Sequence, residues 1–231
     1  NAKYVLLSID SPGGLLAGCF DTVVELRAIA AAANKRLVAY IDAQATSAAY
    51  ALCLAADYIT VPTTGLAGSI GVIEGALDES LRDRAMGQQY KFFGSGALKT
   101  PGNTQVPFAE REAGIQALAN TVDGVAEEFF KLVATYRPTL TPEKVKGFQA
   151  GIFFGANAVA QGLADQVLTL DETIHMLATT GWPAMTTASP ATEPKMSLRE
   201  YLAKMAESED ASPEDREHAK RALASYDSPA T

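Results

Sequence analysis

Two runs of nearly continuous apolar residues, each cut off by polar or turn-forming residues, constrain this chain more than any other feature. Tyr4-Val5-Leu6-Leu7-Ser8-Ile9 stops at Asp10-Ser11-Pro12-Gly13-Gly14, a turn through which no strand continues. A helical stretch from about Leu15 to Asn34 separates it from the second run, Leu37-Val38-Ala39-Tyr40-Ile41. Strands without a polar face are buried on both sides, and strands alternating with helices build parallel βαβ units. The expected class is therefore α/β with a largely parallel sheet.

The remaining pattern extends this unit. Ser47 to Ala56 reads as a short helix, Tyr58 to Val61 as a third strand, and Gly68 to Ile73 as a turn entering a fourth. Leu77 to Met86 has helical character, Gln89 to Phe93 is extended, and Phe108 to Tyr136 is a long helix. A further helix ends at Gly162, before a short strand from Gln166 to Leu168. The ordered core is expected over residues 1–180. Pro183 to Pro194 is rich in Thr, Ser, Ala and Pro and cannot bury enough apolar surface to offset ordering, which predicts a linker over 181–196. Residues 197–231 read as a flexible tail of two short helices, opened by the capping box Ser197-Leu198-Arg199-Glu200 and by Ser212-Pro213.

Composition bounds the function. With 231 residues, 48% of them apolar, and no internal repeat, the chain supports one sizeable core. A net charge of −8 and the lack of any Lys/Arg run argue against a nucleic-acid-binding surface. No segment reaches the ~18 to 20 apolar residues of a membrane span, and no basic leader precedes an apolar run, so the chain as given reads as soluble. Cys19 and Cys53 lie in apolar segments without CxxC spacing and read as reduced core residues. No cluster of His, Cys, Asp and Glu has ligand spacing, so neither a metal nor another cofactor is expected.

The chemistry centres on Ser47, at the head of its predicted helix. A serine hydroxyl needs an adjacent base, usually histidine. The two histidines, His175 and His218, are both far toward the C-terminal end, so a lysine is the more plausible base. Lys99, in the loop Gly94-Ser95-Gly96-Ala97-Leu98-Lys99, is the candidate. A lysine base must be brought from pKa ~10.4 to near ~7 to 8 by burial, which Phe93, Ala97 and Leu98 are expected to provide. Ser69 is a candidate to aim the amine. Gly13 and Gly14 follow a strand and expose backbone N–H groups suited to an oxyanion, and the N-terminus of a helix beginning at Ser47 would add to the same field. Each residue also has an ordinary reading, in which Ser47 caps its helix, Gly13-Gly14 forms a routine turn and Lys99 is a solvated loop residue. The Gly94 to Thr100 loop superficially matches a phosphate-binding loop, but Leu98 stands where that motif requires glycine.

Taken together, four blocks resemble the signal peptide peptidase A family of Ser-Lys peptidases over about residues 4–178. They are Ile9-Asp10-Ser11-Pro12-Gly13-Gly14; Ala45-Thr46-Ser47-Ala48-Ala49-Tyr50, running on to Ala55-Ala56-Asp57; Ala67-Gly68-Ser69-Ile70-Gly71-Val72; and Gly96-Ala97-Leu98-Lys99-Thr100. The resemblance implies Ser47 as nucleophile, Lys99 as general base, Ser69 as the residue orienting the lysine, and Gly13 with the Ala48 N–H as oxyanion donors, Gly14 being a further candidate. It implies a crotonase-like, Clp-protease-like ββα superhelix, usually assembled into homo-oligomers. The Ser-Ala-Ala-Tyr and Lys-Thr-Pro-Gly-Asn blocks look most like the tailed-phage and prophage capsid protease branch. That likeness implies scaffold, portal or capsid proteins as substrates and a place in the host cytoplasm or procapsid. It also implies further N-terminal strands and a helix ahead of Asp10, which this chain lacks. The alternatives are a cellular signal-peptide-degrading peptidase and a non-catalytic assembly or scaffold protein of the same fold.

Overall fold

The computed structural model describes residues 2–96, 98–99 and 102–179 and, further on, only 203, 206–207, 216–217 and 220. The chain divides into two units, Asn1–Thr186 and Thr187–Thr231. In the second unit the described residues are helical. The expected linker at 181–196 and the capping box at Ser197 lie outside the described residues.

The first unit follows the βα alternation. Strand β1 (Tyr4–Ser11) leads through the Pro12-Gly13-Gly14 turn to helix α1 (Cys19–Ala32), and β2 (Arg36–Thr46) follows. β1 and β2 pair in parallel from Tyr4 opposite Arg36 to Ile9 opposite Ile41, and the register slips before Ser11 meets Ala45. β2 is the axis of the sheet. It also pairs in parallel with β3 (Tyr58–Val61) and, beyond that, with β4 (Leu66–Gly68). β6 (Gln166–Val167) extends β3 in parallel, and only β5 (Ile152–Phe154), against β4, is antiparallel. Leu37 to Ile41 are all buried, as expected for a strand covered on both faces. Leu37, Ala39 and Ile41 join Tyr50, Ile59, Val61, Phe129 and Val133 in one core. The mixed α/β class with a largely parallel sheet is thus present.

Several elements differ in extent from the sequence reading. β2 runs five residues past Ile41, because Ala45 and Thr46 have a partner strand in β4. The fourth strand precedes Ser69 instead of following it: Gly68 takes φ 124° and lies so close to β5 that a Cβ there would be 2.4 Å from Gly151 O, which ends the ladder. Helix α1 starts at Cys19, not Leu15, after Gly18 with φ 75°. Residues Leu77 to Met86 shorten to α3 (Ser80–Ala85), and Gln89 to Phe93 join no strand. The long helix resolves into a 3-10 turn (Phe108–Glu110) and α4 (Glu112–Tyr136). Two helices escaped the sequence reading although both carry cap signals. In α5 (Pro142–Gly147) the Thr141 side chain accepts from Lys144 N–H, with proline in the first turn. Before α7 (Leu170–Thr179), Thr169 and Glu172 cap each other reciprocally. Between them lies α6 (Gly155–Ala160).

Candidate active site

β2 ends at Thr46, α2 (Ala48–Cys53) begins at Ala48, and Ser47 alone makes the turn between them. Its backbone sits at φ 55°, ψ −128°, a region sparsely populated by any residue with a Cβ. Two backbone bonds hold it there. The Ser47 N–H donates to Gly68 O at 2.9 Å, and Ser47 O accepts the Ala51 N–H at 3.1 Å. The side chain makes no capping hydrogen bond to α2. The ordinary N-cap role is therefore absent, and the hydroxyl of this half-buried residue is left to face other partners. A serine on a strained strand-to-helix turn is the arrangement that presents a nucleophile at the end of a parallel strand.

Gly13 closes one wall. With φ 107°, it lies so near the serine that a Cβ would fall 2.7 Å from Ser47 Cβ, 2.8 Å from Thr46 O and 3.1 Å from Ala48 N. Glycine is required here both by the dihedral and by the close approach. Its N–H donates to Ser11 Oγ at 3.2 Å, so Gly13 would give up a long bond to serve an oxyanion. Gly14 faces open space. Ala48 is buried at the first position of α2, where the N–H has no partner within the helix.

Ser69 stands beside Ser47. Thr46 and Gly68 are register partners, so the two serines are the next residues along adjacent parallel strands. Ser69 also has positive φ, 50°, and its N–H donates to Gly151 O at 2.9 Å.

Lys99 is placed differently from the expectation. Phe93 is 87% and Leu98 56% exposed, Lys99 is exposed as well, and Ala97 lies outside the described residues. No hydrogen bond joins the Lys99 ammonium to Ser47 or Ser69 among the described residues. The physical reason is the loop itself. It is closed at its base by the Glu79 N–H on Thr104 O at 2.7 Å, and between Gln88 and Val106 it contains no described helix or strand that could cover its apolar side chains. Ser47, Ser69, Gly13 and Ala48 therefore come together at the end of the sheet, and among the described residues Lys99 is an exposed residue of its loop.

One supporting residue went unread in the sequence. Arg27, on α1, donates to the carbonyls of Leu54, Ala55 and Ala56 at 3.0, 3.1 and 3.0 Å, pairs with Asp57 at 3.1 Å and lies over the Tyr136 ring. It satisfies the carbonyls just past α2. A lone arginine in the apolar Val23 to Ala33 segment was the available signal. Cys19 and Cys53 are free thiols, as expected. Burial pushes the Cys53 thiol up to about 12 and raises that of Cys19, so both are protonated near neutrality.

Residues 29–182 match the family model described as Peptidase family S49. The chain belongs to that family. Its relatives include the head-tail preconnector protein GP5 of Enterobacteria phage P21, 32% identical over 181 residues, or 77% of this chain and 34% of the relative. Capsid assembly protease C of Escherichia phage lambda is 28% identical over 178 residues, 75% of this chain and 38% of that protein. Protease 4 of Salmonella typhi is 28% identical over 175 residues, 74% of this chain and 27% of that protein. This S49 chain thus spans little more than a third of the length of the phage relatives it matches. No helix among its described residues is long and apolar enough to cross a membrane.

Proposed function

We propose that this chain is the catalytic region of a serine endopeptidase with a Ser-Lys dyad, acting on scaffold, portal or other capsid proteins of a tailed phage or prophage. The observation that carries the reading is Ser47, strained at the end of β2, without a capping bond and packed against Gly13. Family S49 membership and two phage relatives with assembly-related names support it.

In this mechanism the Ser47 Oγ proton passes to the neutral Lys99 amine as Oγ attacks the scissile carbonyl. The oxyanion forms beside the Ala48 N–H and the Gly13-Gly14 backbone, the Gly13 N–H exchanging its long bond to Ser11 Oγ for the developing charge. Lys99 returns the proton to the leaving amine, and a water molecule, activated by the same lysine, releases the acyl group from Ser47. Ser69, one strand over, holds the lysine amine in line. The exposed Lys99 loop must fold over the serines for this chemistry, and a neighbouring subunit of a homo-oligomer would supply the missing cover. The setting is the procapsid in the host cytoplasm.

A second reading, an assembly protein without catalysis, draws on the exposure of Lys99. One experiment separates the two. The intact protein is treated with a fluorophosphonate and digested, and the modified peptide is identified. Modification at Ser47, with cleavage of a co-expressed capsid or scaffold protein that Ser47→Ala abolishes, supports the peptidase; an unreactive Ser47 and an uncut partner support the assembly protein.

A further inference from the structure

We propose that Tyr50 is a positioning residue for Ser47: its buried hydroxyl, anchored on Leu163 O, keeps the serine in its strained turn and out of the helix-capping conformation. The kinetic consequence rests on Ser47 being the nucleophile; the structural one does not.

A backbone at φ 55°, ψ −128° persists only where the surroundings over-determine it. Ser47 has a relaxed alternative close by. With extended dihedrals it would become an ordinary N-cap, its hydroxyl accepting from the N–H of Ala49 or Tyr50 and no longer available for attack. Helix α2, six residues long, is too short to prevent this by its own backbone.

The restraint comes from Tyr50, the third residue after Ser47. Its side chain is fully buried, and its hydroxyl donates to Leu163 O at 2.9 Å, 113 positions away in sequence. The acceptor is itself fixed. The neighbouring Gly162 carbonyl accepts from Arg137 Nε at 2.8 Å, and Arg137 grips Asp165 through two parallel bonds of 2.9 Å. Asp165 in turn accepts the Ile59 N–H at 2.7 Å, which ties the anchor to β3. A bidentate pair of this kind is the most orientation-specific ion pair available to side chains. Arg27 secures the residues just past the other end of α2. The helix is therefore set against two fixed points, and Tyr50 is the residue within α2 whose own side chain makes a tether.

The test is a double-mutant cycle read by urea unfolding, which needs no activity. Tyr50→Phe removes the hydroxyl and keeps the ring's packing; Ser47→Gly removes the strain. If the tether holds Ser47 against strain, Tyr50→Phe lets the serine relax, and that relief offsets part of the lost bond. With glycine at position 47 there is no strain to release, so Tyr50→Phe is expected to lower the urea midpoint further in the Ser47→Gly background than in wild type. Equal falls in both backgrounds overturn the proposal. Kinetically, Tyr50→Phe is expected to slow fluorophosphonate labelling of Ser47, per folded molecule, by about ten-fold or more. Val145→Ala, a core truncation in α5, should lower the midpoint and leave that rate unchanged. Wild-type labelling with an undiminished rate in Tyr50→Phe also overturns the proposal. Failure of the wild type to label counts against the nucleophile assignment, and the unfolding cycle still decides for Tyr50.

Discussion

Ser47 and Ser69 leave adjacent parallel strands one residue after the same register pair, Thr46 opposite Gly68, and both do so with positive φ, 55° and 50°. Neighbouring strands lie ~4.8 Å apart, so the ladder sets two hydroxyl-bearing residues side by side. The Ser47 N–H on Gly68 O, at 2.9 Å, fixes this pairing at the point where both strands end.

If Ser47 and Lys99 form a dyad, either one alone is insufficient. Ser47→Ala and Lys99→Ala should each lower peptide cleavage by about 10³-fold or more, because the two act as a unit. Lys99→Arg should be equally inactive, since a guanidinium does not lose its proton near neutrality. Cleavage of a capsid-derived peptide is measured alongside circular dichroism, and substantial turnover by any of the three removes the assignment.

The strain at Ser47 predicts an inversion of the usual residue preference. Glycine ordinarily costs stability relative to alanine, but at φ 55° it is the residue without a steric penalty. Ser47→Gly should therefore be more stable than Ser47→Ala by about 1 kcal/mol. Paired urea titrations decide, and an alanine variant as stable as the glycine one would mean that position 47 is unstrained.

Gly13→Ala tests the opposite wall. Its Cβ would meet Ser47 Cβ at 2.7 Å and Thr46 O at 2.8 Å in a backbone of φ 107°. Neither neighbour is the free end of a flexible chain, so the turn must open. A loss of about 1 to 3 kcal/mol is expected, together with loss of Ser47 reactivity. Thermal unfolding and fluorophosphonate labelling would show both; an unaltered labelling rate would detach Gly13 from the site.

Acid should loosen the base of the Lys99 loop. The Asp78 carboxyl is held below the ordinary carboxylate range by hydrogen bonds from the Ser80 side chain and from the Phe108 and Ser80 N–H groups. Because its folded pKa is depressed, its contribution is present above the unfolded value of ~3.9 and is lost as pH falls through the folded one. Amide exchange at Ser80 and Phe108, corrected for the intrinsic pH dependence, should lose protection in that acid window. Asp78→Asn should start less protected and lack the transition. A variant with the wild-type pH response would assign the transition to another group.

The sheet was legible because β2 and β3 are apolar runs that are buried as their composition predicts; β1 reads the same in sequence and takes its place beside β2, but none of its residues is buried and Val5 is 41% exposed. Ser47, Gly13 and Ser69 are singled out by the resemblance of their blocks to a known family; by position alone each reads as a cap or turn residue, and Ser69 is expected ahead of a strand instead of just after one. The short elements were not legible. Phe153, the partly buried residue of β5, lies between the exposed Ile152 and Phe154, an alternation too brief to register. The surroundings of Lys99 were misread for a different reason. Phe93, Ala97 and Leu98 are apolar in composition, but composition does not say what covers a loop, and no described element of this chain covers Phe93 or Leu98. The Tyr50 and Arg137 tethers join residues 25 or more positions apart, beyond the reach of any local pattern.

The pairing of Thr46 with Gly68 separates two jobs that many enzymes give to the same atoms. Main-chain bonds set the register in which positions 47 and 69 stand, and the side chains of those two residues take no part in holding it. The chemical identity of either position can therefore be exchanged, a thiol for a hydroxyl for instance, as a tool is changed in a chuck, without rebuilding what grips it.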